Sequence, residues 1–344
     1  MKRWSMIGTV WVAWALLLTA CVHEPTDTGV PYAHPRVLIL YGLSETGDVY
    51  DVEQDSLFPD LLVTGNTPNF LLEHEGRFYL VNSGYSAAPS LQVIDPKSLA
   101  VLEHVPLPNG SNPMQLATLD NNFYVTSFTR DLVYRLDASW HLVDSVQVGR
   151  ALDGIVAYNG KLYVVATFYD LATYSSDTGK LYVLSPDLQV EDSLVLSVNP
   201  SKVVEADGYL YVLGGDWSLG GGYLLKVDPD LLSVVDSYPI TAGVPGALDI
   251  EGQRAYIVGW AIPQVLVVDI GTMSLVDSLP LTVDEGNGVM DVDATSEAVY
   301  VALFSNADAY DYLVILTPQG YELQRVPLGQ GKGAQIVHYY EIVD

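Results

Sequence analysis

The sequence predicts an all-β fold: a seven-bladed β-propeller of four-stranded blades, closed where the C-terminal strand pairs with the N-terminal blade. One phrase, cleanest at residues 68–110, recurs along most of the chain. The tyrosines near the middle of its successive copies are 45, 39, 48, 45 and 44 residues apart, at Tyr79, Tyr124, Tyr163, Tyr211, Tyr256 and Tyr300. A short turn motif also occurs seven times. This period is typical of one four-stranded blade per repeat.

Each copy of the phrase is expected to hold four short strands. In the clearest copy these are residues 70–72, Arg77–Asn82, Ser90–Ile94 and residues 100–107. The segments are apolar or alternating, and turn residues separate them, which is the pattern of strands joined by tight turns. We find no convincing helix after the N-terminal segment.

The turn motif closes the third strand of every predicted blade. It places Asp, Ser or Thr after an aliphatic or aromatic residue, often with proline next. An oxygen-bearing side chain at the first turn position caps the backbone of its own turn, and proline is pre-set for the following position. These acids are therefore expected to be structural. The seven copies begin at Tyr50, Ile94, Leu136, Leu184, Val227, Val268 and Leu316.

The two ends of the repeat region complement each other. The first blade begins with a segment that resembles a second strand, residues 36–41, followed by residues 48–52 and 61–64, and so it lacks a first strand. The chain ends where a second strand would otherwise begin. Ala334–Val343 is therefore expected to pair with residues 36–41, which closes the ring and leaves no open edge there.

Composition excludes some classes of function. The formal net charge is -27, so the chain repels phosphate backbones and nucleic acid is not an expected partner. Solubility is the simplest explanation of this charge. Cys21 is the only cysteine, so no internal disulfide and no thiolate metal cluster is expected. We expect no metal and no cofactor.

The N-terminal segment predicts export. Lys2 and Arg3 precede an apolar stretch that is short for a bilayer span, and this stretch ends in Leu18-Thr19-Ala20-Cys21. That ending resembles the lipobox of bacterial lipoproteins, which implies a signal peptide at residues 1–20 and lipidation of Cys21. Residues 21–35 then form a flexible tether, and residues 36–344 the propeller. The expected location is the bacterial cell envelope, with the outer membrane preferred because no Asp follows Cys21.

The repeat itself resembles the YVTN-type propeller repeat of YncE-like and surface-layer-associated proteins. The pattern appears as a loop, Gly65-Asn66-Thr67-Pro68; a strand, Tyr124-Val125-Thr126-Ser127; a turn, Val93-Ile94-Asp95; and a return to glycine at Val148-Gly149. The resemblance covers nearly all of the chain after the tether. Its signature residues are structural, so it implies the fold more than the function.

Candidate ligand-binding residues are predicted on one face. The loops between the second and third strands, and those between blades, open around the central tunnel, where propellers usually carry functional groups. Aromatic side chains there offer flat contact area to a ligand, and cations in an acidic shell attract anionic groups; inter-blade packing and charge neutralisation are the alternatives. The predicted site residues are Tyr41, Tyr85, Phe128, Arg130, Arg150, Tyr169, Lys202, Asp216, Trp217, Trp260, Phe304, Tyr310 and Lys332.

These observations favour a non-enzymatic envelope lipoprotein that binds a small ligand, a glycan or a partner protein through this face. Lipoproteins of similar build include surface capture subunits of outer-membrane transporters, corrinoid transporters among them, which implies a TonB-dependent transporter as a partner. The alternatives are a propeller enzyme of lactonase or lyase type with its site at the tunnel mouth, and an assembly scaffold. No catalytic residue is assigned, because no nucleophile motif follows a strand and opens a helix.

Overall fold

The computed structural model describes residues 33–84, 87–283, 287–305 and 309–343. These residues form 30 strands and no helix, and none of them belongs to a helix that is long and apolar enough to cross a membrane. The all-β prediction is confirmed. The predicted signal peptide, Cys21, most of the tether, and Tyr85 lie outside the described residues.

Twenty-eight strands form seven antiparallel four-stranded sheets, and the other two, β14 and β15, pair in a small hairpin. Each sheet is one blade, numbered from the N-terminus. Blade 1 contains β1 (Ala33–Tyr41), β2 (Thr46–Asp51), β3 (Ser56–Val63) and β30 (Ala334–Val343). Blade 2 contains β4 (Pro68–His74), β5 (Arg77–Asn82), β6 (Ser90–Ile94) and β7 (Val101–Pro106). Blade 3 contains β8 (Pro113–Leu119), β9 (Asn122–Ser127), β10 (Leu132–Leu136) and β11 (Leu142–Gln147).

The remaining blades repeat this order. Blade 4 contains β12 (Leu152–Tyr158), β13 (Lys161–Ala166), β16 (Thr178–Leu184) and β17 (Val190–Val198), with β14 (Tyr169–Asp170) and β15 (Ser175–Ser176) in its loop. Blade 5 contains β18 (Pro200–Ala206), β19 (Tyr209–Asp216), β20 (Gly221–Asp228) and β21 (Ser233–Ile240). Blade 6 contains β22 (Ala247–Glu251), β23 (Arg254–Val258), β24 (Gln264–Asp269) and β25 (Ser274–Pro280). Blade 7 contains β26 (Asn287–Ala294), β27 (Val299–Ser305), β28 (Tyr310–Leu316) and β29 (Glu322–Gln330).

The predicted closure is confirmed. β30 pairs antiparallel with β1 from Ala33 opposite Val343 to Tyr41 opposite Ala334, and it takes the first-strand position that the N-terminal part of blade 1 lacks. The blade sequence therefore runs β3-β2-β1-β30, and the chain ends are joined by one sheet. Pairing these two strands removes the open edges that both would otherwise present.

The core lies between the blades. Phe78 and Leu80 belong to an apolar cluster with blade 1, whereas Tyr79 and Val81 belong to a cluster with blade 3. Successive side chains of a strand point to opposite faces, so a strand with a blade on each side needs apolar residues at both its odd and its even positions. This is why the second strands read as continuous apolar runs rather than as alternating ones.

The repeated acids serve the turns, as predicted. Oδ1 of Asp95 accepts the backbone N–H of Ser98 at 2.7 Å, and this bond lowers the pKa of the carboxyl. The turn ends with Leu99 in the left-handed region at a φ of 56°, and its buried side chain packs between blades 1 and 2. Trp140, Leu188 and Met273 repeat this arrangement in other blades. The apolar contact offsets the unfavourable backbone conformation.

The closing strand is also held from its tunnel side. Oδ2 of Asp291 accepts the Val337 N–H at 3.0 Å, and Oδ2 of Asp293 accepts the Tyr339 N–H at 3.0 Å. The ring of His338 bridges both neighbouring blades, with Nδ1 3.0 Å from Asp293 and Nε2 3.1 Å from Glu73. Burial alone lowers the pKa of His338, but the two carboxylate hydrogen bonds outweigh it and raise the pKa to about 9. His338 is therefore a cationic link between blades 7, 1 and 2 at neutral pH.

Replacing His338 with glutamine should remove a pH-dependent part of the stability. The folded-state pKa is raised from 6.5 to about 9, so the contribution is complete below the lower value and disappears as pH rises through the upper one. The difference in unfolding free energy between the parent and H338Q should be on the order of 3 kcal/mol in mild acid and fall toward zero in alkali. Urea denaturation across that range measures it, with the exposed His104→Gln as control. A difference that does not change with pH would contradict this assignment.

Candidate functional site

The first strands of all seven blades surround a central tunnel with a volume of about 530 Å³. Its wall is mixed, because aliphatic side chains alternate with amide and charged ones. The polar or charged residues that line it are Asn69, Gln115, Thr118, Lys202, Glu205, Asp291, Gln335 and His338. A cavity of this size falls in the range of small-molecule sites.

A second cavity, which we call the funnel, opens on the face that carries the second-to-third-strand loops and the inter-blade connections. We call this face the loop face. The funnel has a volume of about 340 Å³ and shares Asn69 and Gln335 with the tunnel, so the two cavities adjoin. Its lining is Gly42, Leu43, Thr67, Asn69, Ser83, Asn112, Met114, Phe304 and Gln335. None of these side chains is charged, although the chain carries a net charge of -27.

Two predicted aromatic residues lie together at the funnel. The rings of Trp260 and Phe304 are 5.4 Å apart, and Phe304 is part of the funnel wall. Trp260 is 40% exposed. A Cβ on Gly288 would come within 2.3 Å of the Trp260 ring, so only glycine leaves room for the ring there. Neighbouring blades thus position an exposed indole beside an uncharged cavity.

Phe128 and Tyr169 form a second pair, with ring centroids 6.1 Å apart, beside a smaller loop-face cavity of about 170 Å³. Arg150 lines the same cavity. Its guanidinium donates to the Phe168 carbonyl at 2.8 Å and lies 3.7 Å from Asp170. Arg150 therefore holds the loop of blade 4 in place, which matches the charge-neutralising alternative.

Trp217, Asp216 and Tyr310 are also on the loop face. Trp217 is 67% exposed and Tyr310 is 47% exposed, so both are accessible to a partner. Asp216 accepts the hydroxyl of Ser218 and the N–H groups of Ser218 and Leu219, and so caps its own turn; these bonds, the hydroxyl bond above all, lower the pKa of its carboxyl. Its role is to shape the loop that presents Trp217.

The prediction for Tyr41 is wrong. Its side chain is fully buried, and its hydroxyl donates to Oδ2 of the equally buried Asp48 at 2.6 Å. Nζ of Lys332 lies 3.2 Å from Asp48 and 3.0 Å from Asp60, above the ring of Tyr41. Tyr41 and Lys332 are thus engaged in a polar cluster with Asp48 and Asp60 of blade 1.

The other predicted cations make different contacts. Arg130 is exposed and donates to the Asn109 carbonyl at 2.6 Å. Among Arg130, Arg150, Lys202 and Lys332, the tunnel lining includes Lys202 alone, with Nζ 3.8 Å from Oδ1 of Asp153. Lys202 is therefore the predicted cation that a ligand in the tunnel would meet.

Sequence reasoning missed the acids of the tunnel strands. Asp249 and Asp293 stand opposite the strand-two tyrosines of their blades, where blade 2 has Leu72. Aligning the repeats would have revealed two acids at an apolar position. Burial, with help from the charge of Asp293, raises the pKa of Asp249 to about 6, and burial raises the pKa of Asp291 to about 7.

These tunnel acids bind backbone groups of the next blade. Asp249 accepts the N–H of Ala294 at 2.8 Å, as Asp291 and Asp293 do for β30. Within the described ranges, no three His, Cys, Asp or Glu side chains are grouped to hold a metal ion. The carboxylates of Asp249, Asp291 and Asp293 are thus explained by contacts between blades.

The fold is shared with many solved structures. A quinonprotein alcohol dehydrogenase-like protein from Bacteroides thetaiotaomicron is 18% identical, with a TM-score of 0.64 over 87% of this chain and 77% of that one. Apo AztD from Citrobacter koseri is 12% identical, with a TM-score of 0.56 over 90% and 98% of the two chains. The dihydro-heme d1 dehydrogenase NirN in complex with DHE is 15% identical, with a TM-score of 0.55 over 89% and 74%.

These likenesses define the class as a seven-bladed β-propeller with neighbours of the quinoprotein and AztD type. No protein-family model matches the sequence, and no curated protein does. At such low identities the neighbours show the fold alone, so membership of the YVTN-type family stays a prediction.

Lys332→Met should destabilise the fold rather than weaken binding selectively. The substitution leaves the buried carboxylate of Asp48 without its countercharge, and breaking such a pair costs about 3 kcal/mol. Urea denaturation measures this loss, and Lys161→Met, which breaks an exposed pair with Glu191, should leave stability nearly unchanged because water screens exposed ion pairs. Equal effects of the two substitutions would contradict the structural role of Lys332.

Proposed function

We propose that this chain is a ligand-binding protein of the bacterial cell envelope, anchored through lipid on Cys21, that captures a small uncharged ligand at the loop-face mouth of its tunnel. The funnel carries this proposal: it is an uncharged cavity on a strongly acidic protein, and it adjoins the tunnel through Asn69 and Gln335. Amide and hydroxyl groups in its wall supply both donors and acceptors. The proposal gives no residue a catalytic role.

The exposed indoles support a binding function. Trp217 and Trp260 expose large apolar surfaces, and such residues are enriched in binding sites. Trp260 touches Phe304 of the funnel wall, so a ligand entering the funnel is placed to contact both rings. A propeller neighbour, NirN, was solved in complex with DHE, which illustrates ligand binding on this architecture.

The envelope location follows from the lipobox-like segment that ends at Cys21. A tether between a lipid anchor and a propeller suits a capture subunit that delivers its ligand to a membrane partner. An outer-membrane transporter of the TonB-dependent type is the partner that we propose. The exposed loop face, with Trp217 and Tyr310, is the surface that we assign to this contact as well as to the ligand.

Trp260→Ala combined with Phe304→Ala should abolish retention of the ligand. The purified chain from residue 22 onward is incubated with a small-molecule extract of bacterial culture, washed, and analysed by mass spectrometry of the released compounds. We expect uncharged compounds to be enriched on the parent and lost from the double variant, because the funnel loses its aromatic wall. The control is Tyr321→Ala, since Tyr321 is 74% exposed on the opposite face. Identical compounds on all three proteins would refute the proposed site.

Cys21→Ser should release the protein from the membrane. Acyl chains on a single cysteine supply the whole proposed anchor, and serine does not accept them. Fractionation of cells that express the full chain, followed by immunoblotting, should show the parent in the membrane fraction and C21S in the soluble one. A variant that stays in the membrane fraction would contradict lipid anchoring at this residue.

A further inference from the structure

A cavity of about 720 Å³ opens between blades 2 and 3, on the face opposite the loop face. Its rim includes the hairpin turns at residues 74–77, 119–122 and 138–140, and we call it the turn-face cavity. Its size falls in the range of small-molecule sites. Neither the funnel nor the tunnel acids described above belong to it.

At two other junctions between blades, hydrogen bonds seal the corresponding space. The hydroxyl of Tyr124 donates to the Pro186 carbonyl of the next blade at 2.8 Å, and Nη1 of Arg135 donates to the same carbonyl at 3.1 Å. Tyr211 and Lys226 bind the corresponding carbonyl of blade 6 at 3.3 and 2.9 Å. A tyrosine of the second strand and a cation of the third strand thus join two blades at this face.

The junction of blades 2 and 3 lacks both of these bonds. Tyr79 corresponds to Tyr124, but its neighbour on the third strand is Val93, whereas Tyr124 faces Arg135. Valine has no donor, and the Tyr79 hydroxyl makes no hydrogen bond within the described residues. Ala138 has the position of the acceptor carbonyl, and it lines the cavity together with Tyr79 and Val93. The space that is closed elsewhere is therefore open here.

One wall of the turn-face cavity is aromatic. The ring centroids of Phe123 and Trp140 are 4.3 Å apart, and that of Tyr79 lies 5.2 Å from Phe123 and 6.0 Å from Trp140. Trp140 has the last turn position, which Leu188 and Met273 have in other blades. Tyr79 and Phe123 are buried and Trp140 is partly exposed. An entering molecule therefore meets the indole, which has the most attractive ring face for a cation.

The charged residues around this wall are mostly acidic. The lining holds three carboxylates, those of Glu75, Glu103 and Asp120, and one guanidinium, that of Arg77. The carboxylates of Glu103 and Asp120 make no hydrogen bond or ion pair within the described part of the chain. The charge of Arg77 also acts on Asp95, which is outside the lining. On a chain with a net charge of -27, such a cavity attracts cations and repels anions.

We infer that the turn-face cavity binds a small organic cation, whose ammonium group lies against the Trp140 ring in the field of Glu103 and Asp120. The face of an aromatic ring attracts a cation, and quaternary ammonium groups are recognised in this way. An anion is repelled by the carboxylates, and a neutral molecule gains only the contact with the rings. This site goes beyond the proposed function and does not depend on it, since the funnel is on the opposite face.

Two probes of one shape test the inference: choline, and 3,3-dimethylbutan-1-ol, in which carbon replaces the charged nitrogen. Isothermal titration calorimetry in low salt uses the chain from residue 22 onward, which keeps every described strand. Choline should bind roughly tenfold more tightly or better, because the alcohol keeps the shape and loses the charge. Added salt should weaken the binding of choline and leave that of the alcohol unchanged.

Trp140→Leu should lower the affinity for choline by roughly tenfold or more, because the cation loses its ring face. Leucine has the same turn position in blades 2 and 4, as Leu99 and Leu188, so this variant is compatible with the fold. Trp217→Leu is the matched control on the loop face and should leave the affinity for choline unchanged. Urea denaturation of each variant verifies that the propeller is folded.

Two further variants separate charge from packing. Asp120 has a φ of 50°, which asparagine tolerates in such a turn, so Asp120→Asn removes only the charge. It should weaken choline binding several-fold, whereas Arg77→Gln should strengthen it by a similar factor. Neither substitution should change the affinity for the alcohol.

Failure of the parent to bind choline would overturn the inference, as would equal affinities for the two probes. Equal losses in W140L and W217L would also overturn it, because the effect would then not come from the turn face. The funnel variant W260A with F304A should bind choline as the parent does. Loss of extract compounds from that variant therefore tests the proposed function alone.

Discussion

The structure depends on one strand pairing, that of β30 with β1. It joins residues from the two ends of the chain, so the ring is closed by a sheet rather than by a loop. Two carboxylates of blade 7 hold β30 through its backbone N–H groups, and His338 adds a charged link to blade 2. Without this closure, blades 1 and 7 would each expose an apolar face, since every cluster of the core is shared between two neighbouring blades.

Closure also creates the cavities. Seven first strands meet around one axis, and only because the ring is complete do their side chains enclose a tunnel. Three acids of the inner strands, Asp249, Asp291 and Asp293, bind backbone groups of the next blade. The funnel differs, since its lining is uncharged. The tunnel therefore carries charged side chains, whereas the lining of the funnel at its mouth carries none. This separation is the physical basis for expecting an uncharged ligand.

Some predicted site residues are exposed and others are buried, depending on the contacts that their loops make. Trp260 and Phe304 meet because two neighbouring blades bring their loops together, and a glycine leaves room for the indole. Tyr41 occupies the corresponding place in blade 1, yet it is buried against Asp48. The difference lies in Asp48 and Lys332, which come from distant parts of the chain. A repeat pattern predicts that a loop carries an aromatic residue, but the direction of its side chain depends on such partners.

The sequence by itself determined the all-β class, the seven blades, the turn acids and the pairing of Ala334–Val343 with the N-terminal blade. These features follow from local turn chemistry and from a repeated apolar pattern, and both depend on residues that are close together in the sequence. Only the tertiary structure decided that Lys332 neutralises Asp48, that Asp291 and Asp293 hold β30, and that Asp153 lies beside Lys202 without a hydrogen bond. Each of these contacts joins different strands or blades, so the spacing of residues along the chain carries little information about them.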